Sequence, residues 1–273
     1  MFCGMLNFLF QKRIRKSLLG NCSAEKCLSH CERIVHNYER DMRDLHIILF
    51  PEFIDHLSHV DRLIAWPGSS LLLVGKSGSG RRTVTHLVAH SHHLRLFTPT
   101  VGSWFDAKHL KAFFRSVVQC CVVENEGGCL FLEDFHVSAG TLGSLLLDYS
   151  TTLIQSQDIH SFYSDDELKA LREELKDALQ SEAQTGAKIK SSLHSLSSSS
   201  AALQSSFIDL SYRDPEDKLE SLVASRLKRN LRIVISFDYT SSSFEQRLVQ
   251  HPSIFTFVLT WCGLENGASV PCR

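Results

Sequence analysis

No apolar run in this 273-residue chain approaches the roughly 20 residues needed to cross a bilayer, which excludes a helical integral membrane protein. Net charge is almost absent as well: 29 Lys and Arg against 30 Asp and Glu leave −1, so no global field draws the chain to nucleic acid or to an anionic membrane. The nine cysteines are odd in number and lack the C-x-x-C pairs of a zinc module; Cys22, Cys27 and Cys31 have no fourth ligand at a usable spacing. They read as free thiols of a reducing compartment. Neither a G-x-S-x-G elbow nor an H-E-x-x-H helix occurs, so the common hydrolase chemistries lack a nucleophile or a metal.

What the chain does have is apolar content of 43%, enough for a real core. Its first residues, MFCGMLNFLFQKRIRKSLLG, run apolar then basic, the reverse of a secretory signal, and suit an amphipathic helix that packs on the domain or lies on a membrane surface. Residues 1–37 therefore read as an extension and 266–273 as a tail around one domain at 38–265. In LHIILFPEFIDHLSHVDRLIAWPG a short strand-like run precedes Pro51, and helical spacing of Phe53, Ile54, Leu57, Val60 and Leu63 follows, closed by Pro67-Gly68.

Three short apolar runs read as strands buried on both faces, as in a parallel sheet: Leu71–Val74, Cys129–Leu132 and Leu231–Phe237. The second runs into Glu133-Asp134 and the third into Asp238. Ligands gather at the carboxyl ends of such strands, so three strand ends point to one place. Between them, SDDELKALREELKDALQSEA (164–183) opens with a Ser164/Glu167 capping box and carries a stripe of Leu168, Leu171, Leu175 and Leu179. The stripe fits a helix lying on the domain or one that meets a partner. A serine-rich, low-complexity loop is expected at about 186–215.

The first strand leads into LLLVGKSGSGRRTVTHLV, a glycine turn followed by a helix from about Thr83. Such a turn aims backbone N–H groups at phosphate oxygens, and the helix dipole adds positive potential. Gly75 and Gly80 match G-x-x-x-x-G-K-[ST], which makes Gly75, Lys76, Ser77, Gly78, Ser79, Gly80, Arg81, Arg82 and Thr83 the candidate nucleotide-binding residues. The lysine position holds Arg81. The hydroxyl that would ligate Mg²⁺ is replaced by Arg82, whose guanidinium has no lone pair to offer a cation, and Thr83 comes one step too late on the helix. The acidic pair that would organise the metal and polarise water stands in reversed order, Glu133 then Asp134, and Asp238 adds negative charge near a terminal phosphate. Arg81 and Arg82 are expected to face Glu133, Asp134 and Asp238, which gives a pocket for ATP or ADP that hydrolyses slowly or not at all, with no assured Mg²⁺ site.

These same residues carry a resemblance. The segment from Tyr38 to Thr83, CLFLEDFH (129–136), SFYSDDELKALREELKDAL (161–179) and LVASRLKRNLRIVISFD (222–238) are similar to the AAA+ modules of dynein heavy chains. The paired arginines and the Glu-Asp order sharpen the match to the fourth module of the dynein-2 class, the motors of retrograde intraflagellar transport. The resemblance implies an α/β P-loop large subdomain, a parallel sheet flanked by helices, set among neighbouring modules of a heavy chain. It also implies, through the whole motor, dynein-2 subunits, microtubules, and a cytoplasmic, cytoskeletal and ciliary location. It covers roughly Tyr38 to Trp261 and reaches neither the helical lid nor the stalk of a full heavy chain, as a fragment of one would. HPSIFTFVLTW (251–261) has Thr256 and Phe257 where the family often carries an arginine that reaches the neighbouring nucleotide. Two readings stay open: a nucleotide-binding module with little or no hydrolysis, or a structural module of the ring that binds none. An independent P-loop kinase would need the missing hydroxyl.

Two further clusters read as structural. His86 and His90 share a helix face without a third metal ligand, and Arg226, Lys228, Arg229 and Arg232 read as a solvated helix end.

Overall fold

A computed structural model describes residues 24–100, 105–138, 140–193, 215–241, 246, 249–251 and 259–262. Its centre is a five-stranded sheet made of β1 (Ser70–Val74), β2 (Arg95–Phe97), β3 (Gly128–Glu133), β4 (Leu231–Phe237) and β5 (Leu259–Cys262). The order is β2-β3-β4-β1-β5 and every pairing is parallel. The three apolar runs of the sequence are its middle strands; the two short edge strands carry no comparable signal.

Helices cover both faces. On one lie α1 (Ala24–Asp41), α2 (Pro51–Ile64) and α3 (Arg81–Ser91). On the other lie α4 (Ala107–Val118) with the π-turn that extends it (Gln119–Val123), then α6 (Gly140–Gln155), α7 (Asp165–Leu193) and α8 (Pro215–Asn230). The single-turn α5 (Asp134–Val137) follows β3 directly. Side chains of successive strand residues alternate between the two layers. Leu71 and Leu73 pack with Leu57, Val60, Leu87 and Tyr38, whereas Leu72 packs with Phe114, Leu147, Phe162 and Leu175. Two cores therefore share one sheet, which is why its strands read as unbroken apolar runs.

Several expectations shift in detail. The run Leu45–Phe50 joins no strand among the described residues, and His46 within it has a left-handed φ of +51°; Leu45, Ile47 and Leu49 are half-buried while their neighbours face solvent, and the Leu45 and His46 amides donate to Glu39 Oε1 at 3.0 and 3.2 Å. Helix α1 crosses the expected boundary at 37, with Cys31, Ile34, Val35 and Tyr38 buried. The Ser164 amide and hydroxyl both donate to Glu167 Oε2, at 2.8 and 3.0 Å, and the leucine stripe is spent on the core: Leu168, Leu171 and Leu175 are buried. Helix α7 continues to Leu193, past the expected loop boundary at 186; residues 194–214 and 252–258, with the family's arginine position, lie outside the described residues.

Of the basic residues near α8, Lys228 and Arg229 are exposed, as a solvated helix end would have them, but Arg226 and Arg232 are covered wholly or in part. Arg226 is buried and donates to the Val122 carbonyl at 2.7 Å, Asn230 donates to Cys121 at 2.8 Å, and Arg232 donates to the carbonyls of Arg229 and Asn230. Helix ends leave carbonyls without intrahelical partners, and these side chains satisfy them. Cys27, Cys31, Cys120, Cys121 and Cys129 are buried and in no disulfide. No described helix is long and apolar enough to cross a membrane.

Candidate functional site

β1 and β4 are neighbours whose onward connections leave in opposite directions, one toward β2 and the other toward β5, and such a divergence opens a crevice at the carboxyl ends of the strands. Register places Val74 beside Phe237 and Ser236 beside Glu133, so the three strand ends meet there. The glycine turn starts at this point: the Gly75 amide donates to the Phe237 carbonyl at 3.1 Å. Gly78 and Gly80 have φ of +86° and +78°, left-handed values that a side chain resists, and Gly80 serves as N-cap of α3. The helix begins at Arg81, two residues earlier than the sequence suggested, which brings both arginines into its first turn.

Each arginine is already occupied. Arg81 reaches back over the turn; its Nη1 donates to the Phe237 carbonyl and its Nη2 to the Lys76 carbonyl at 3.4 Å. Burial lowers the Arg81 pKa, and the charges of Asp238, Asp134 and Glu133 oppose that shift. Arg82 Nε donates to Glu133 Oε2 at 3.0 Å and Nη2 donates to the same oxygen, while the guanidinium stands 5.9 Å from the centre of the Phe135 ring. Glu133 is in turn the N-cap of α5: its carboxylate accepts the His136 amide, and its own amide donates to His136 Nδ1 at 3.0 Å. Burial lowers the His136 pKa, with Arg82 adding to the effect and Glu133 opposing it.

Asp238 lies against the loop itself. Its Oδ2 accepts the Ser77 amide at 3.0 Å, and its Oδ1 accepts the Thr240 amide at 2.9 Å and the Thr240 hydroxyl at 2.6 Å. Burial pushes this carboxyl up, but Thr240, Arg81 and the Ser77 amide outweigh it and hold the group below the usual carboxylate range. Lys76, Ser77 and Gly78 are exposed, Thr83 is half-buried in the first turn of α3, and the Ser79 hydroxyl is buried without a protein partner among the described residues.

All the residues singled out in the sequence thus sit around one turn. Thr240, His136 and Phe135 were missed. The spacing Asp238-x-Thr240 is the sequence sign of a side chain folding onto its own backbone two residues on, and His136 falls at the third helical position after an N-cap. The role of the Phe237 carbonyl has no sequence signal.

The arrangement suits an anion better than a divalent cation. The position that should offer a hydroxyl offers a guanidinium, and the carboxylate nearest to it is committed to that guanidinium and to a helix cap. The residues present do not fit Mg²⁺. Among the described residues one other group has ligand atoms within mutual reach, Cys120, Glu124 and Glu126. It precedes β3, at the opposite end of the sheet, and Arg95 pairs with both carboxylates. His86 and His90 each have their own neighbours: the Tyr38 hydroxyl lies 3.4 Å from His86 Nδ1, and Asp41 lies 3.3 Å from His90 Nε2.

Comparison with known proteins supplies the family. The family model described as P-loop containing dynein motor region D4 matches residues 45–263. The chain is similar to cytoplasmic dynein 2 heavy chain 1 of Homo sapiens, 37% identical over 141 residues, which cover 52% of this chain and 3% of that protein. It is 29% identical over 237 residues to the protein of the same name from Tripneustes gratilla and 28% identical over 219 residues to that of Chlamydomonas reinhardtii, covering 87% and 80% of this chain. It spans only 5% and 4% of the length of those two relatives. With an α/β parallel sheet, a glycine turn after the inner strand β1 and a family match over most of its length, the chain belongs to the P-loop dynein motor region D4 family.

Proposed function

We propose that this chain is the fourth AAA+ module of a dynein-2-type heavy chain and that its degenerate loop binds ADP or ATP with little or no hydrolysis. The observation that carries the reading is the Arg82–Glu133 pair: Arg82 stands where the metal-binding hydroxyl would be and engages the carboxylate that would organise the metal, while the loop keeps its glycine geometry. An amide cradle and a helix N-terminus suffice to hold phosphates; phosphoryl transfer needs the metal and a positioned base as well. Bound nucleotide would brace the module in the ring. Through the full heavy chain it would act in retrograde intraflagellar transport along microtubules, with neighbouring modules and dynein-2 subunits as partners and the cytoplasm, cytoskeleton and cilium as its location. The names of the similar heavy chains support this assignment.

Calorimetric titration with ADP and ATP, with and without Mg²⁺, tests it. Binding should occur and should not depend on Mg²⁺. Turnover at ordinary ATPase rates, abolished by Asp134→Asn, would overturn it. A second reading, a structural module that binds no nucleotide, is favoured by the hold of Arg81 on the Phe237 carbonyl across the turn; absence of heat with either nucleotide would select it.

A further inference from the structure

Asp238 takes an amide that an incoming phosphate would otherwise use. In a strand–turn–helix cradle the amides nearest the helix hold the inner phosphates of a nucleotide, and the strand side of the loop faces the outermost one. Ser77 lies on that strand side, two residues after Gly75, and its N–H already points to Asp238 Oδ2 at 3.0 Å. The carboxylate cannot simply turn away: the Thr240 amide and hydroxyl hold its other oxygen at 2.9 and 2.6 Å. The charge of Arg81 reaches it, but the hydrogen bonds of that guanidinium are directed at main-chain carbonyls. Arg82 is bonded to Glu133, and Lys76, the remaining loop cation, is solvent-exposed, where its charge is screened.

We propose that Asp238 is a specificity-determining residue that occupies the outermost phosphate position of the loop, so that the cradle takes a nucleoside diphosphate in preference to a triphosphate. This rests on the nucleotide-binding reading above and adds which nucleotide is held and by what. The Ser79 amide already donates to the Lys76 carbonyl at 3.2 Å, so the amides of the first turn of α3, ahead of its first helical bond from Val84 to Gly80, are the ones left for two phosphates. A third phosphate would have to displace a carboxylate fixed by three hydrogen bonds and leave two anions facing each other without a metal between them.

The test uses the 273-residue chain and its Asp238→Asn variant, titrated with ADP and ATP in the absence of Mg²⁺. Two like charges brought within a few ångströms at a partly solvated site predict ADP binding at least about tenfold tighter than ATP in the parent chain. In Asp238→Asn, which keeps an oxygen for Thr240, the two affinities should come together. A second measurement needs no substitution: pyrophosphate should displace a fluorescent ADP analogue from the parent chain better than tripolyphosphate does. Equal affinity for ADP and ATP in the parent, or an unchanged ratio in a variant that melts like the parent, overturns the inference while leaving nucleotide binding intact. If the variant does not fold, the order of the two polyphosphates decides. Failure of both proteins to bind either nucleotide overturns the nucleotide reading and the inference with it.

Discussion

Removing the Arg82 guanidinium and the Glu133 charge, separately and together, measures how firmly the site is locked. Arg82 is 53% exposed at its side chain and Glu133 only 15%, so a wet cation meets a mostly buried anion. Exposed pairs contribute about 0.2–1 kcal/mol, and stripping one partner from a fully buried pair costs about 3–5 kcal/mol. This pair falls between the two, with a coupling of about 1–2 kcal/mol after allowance for solvent around the guanidinium. Arg82→Met keeps a stem against Phe135, and Glu133→Gln keeps an oxygen for the His136 amide, so each change removes charge and little else. Arg82→Met should be the costlier single change, because it leaves a half-sealed carboxylate without its cation, and the double variant should cost less than the two singles added. Urea unfolding of all four proteins gives the cycle, with unchanged slopes as the check that only stability moved. A coupling below about 0.3 kcal/mol, the scatter of independent sites, would refute the idea that this contact seals the metal position.

Two further outcomes follow from the coordinates. His56 is buried, and burial together with the positive charges of His59 and Arg81 lowers its pKa from 6.5 to about 4. The folded state therefore binds fewer protons than the unfolded one below pH 6.5, so stability is intact above that value and is lost as pH falls toward 4, by about 3 kcal/mol in all. Urea titrations across this window should show a steeper acid loss in the parent than in His56→Leu, and identical slopes would rule the assignment out. At Gly68, with φ of +70°, a methyl group would stand 2.3 Å from the Lys228 carbonyl oxygen. Gly68→Ala should lose about 2–4 kcal/mol of stability, and an unchanged melting temperature would contradict it.

The middle of the sheet was legible because strands buried on both faces must be apolar throughout, and β1, β3 and β4 are. The edge strands were not. Arg95–Phe97 is three residues long and half-covered, and a strand of that length acquires its identity only from the neighbour it pairs with. The run Leu45–Phe50 shows the converse: its apolar residues read as a strand, but His46 turns left-handed and pairing depends on an open sheet edge, which local sequence does not encode. At the site, residue types and spacing gave the charges that face one another. Which arginine meets which carboxylate was decided by the start of α3 at Arg81, and helix starts are among the least certain features of a sequence when the N-cap is a glycine rather than a side-chain acceptor.

The departures from an active loop form a set, and their geometry explains why they occur together. Arg82 in place of the hydroxyl would be an unbalanced cation beside the crevice, were Glu133 not long enough to reach it from the end of β3 while still capping α5. Glu133, once paired, no longer needs a metal to neutralise it. Arg81 sits in the field of Asp238, Asp134 and Glu133, and Asp238 finds hydrogen-bond donors in Ser77 and Thr240, so each charge that the missing cation would have balanced has a partner from the chain itself. Reverting one residue toward the active pattern breaks that balance: a hydroxyl at 82 leaves Glu133 a largely buried anion, and a lysine at 81 gives up the forked grip on two carbonyls. Under the proposed function, these ion pairs hold the loop in the form that keeps phosphate geometry and forgoes phosphate chemistry.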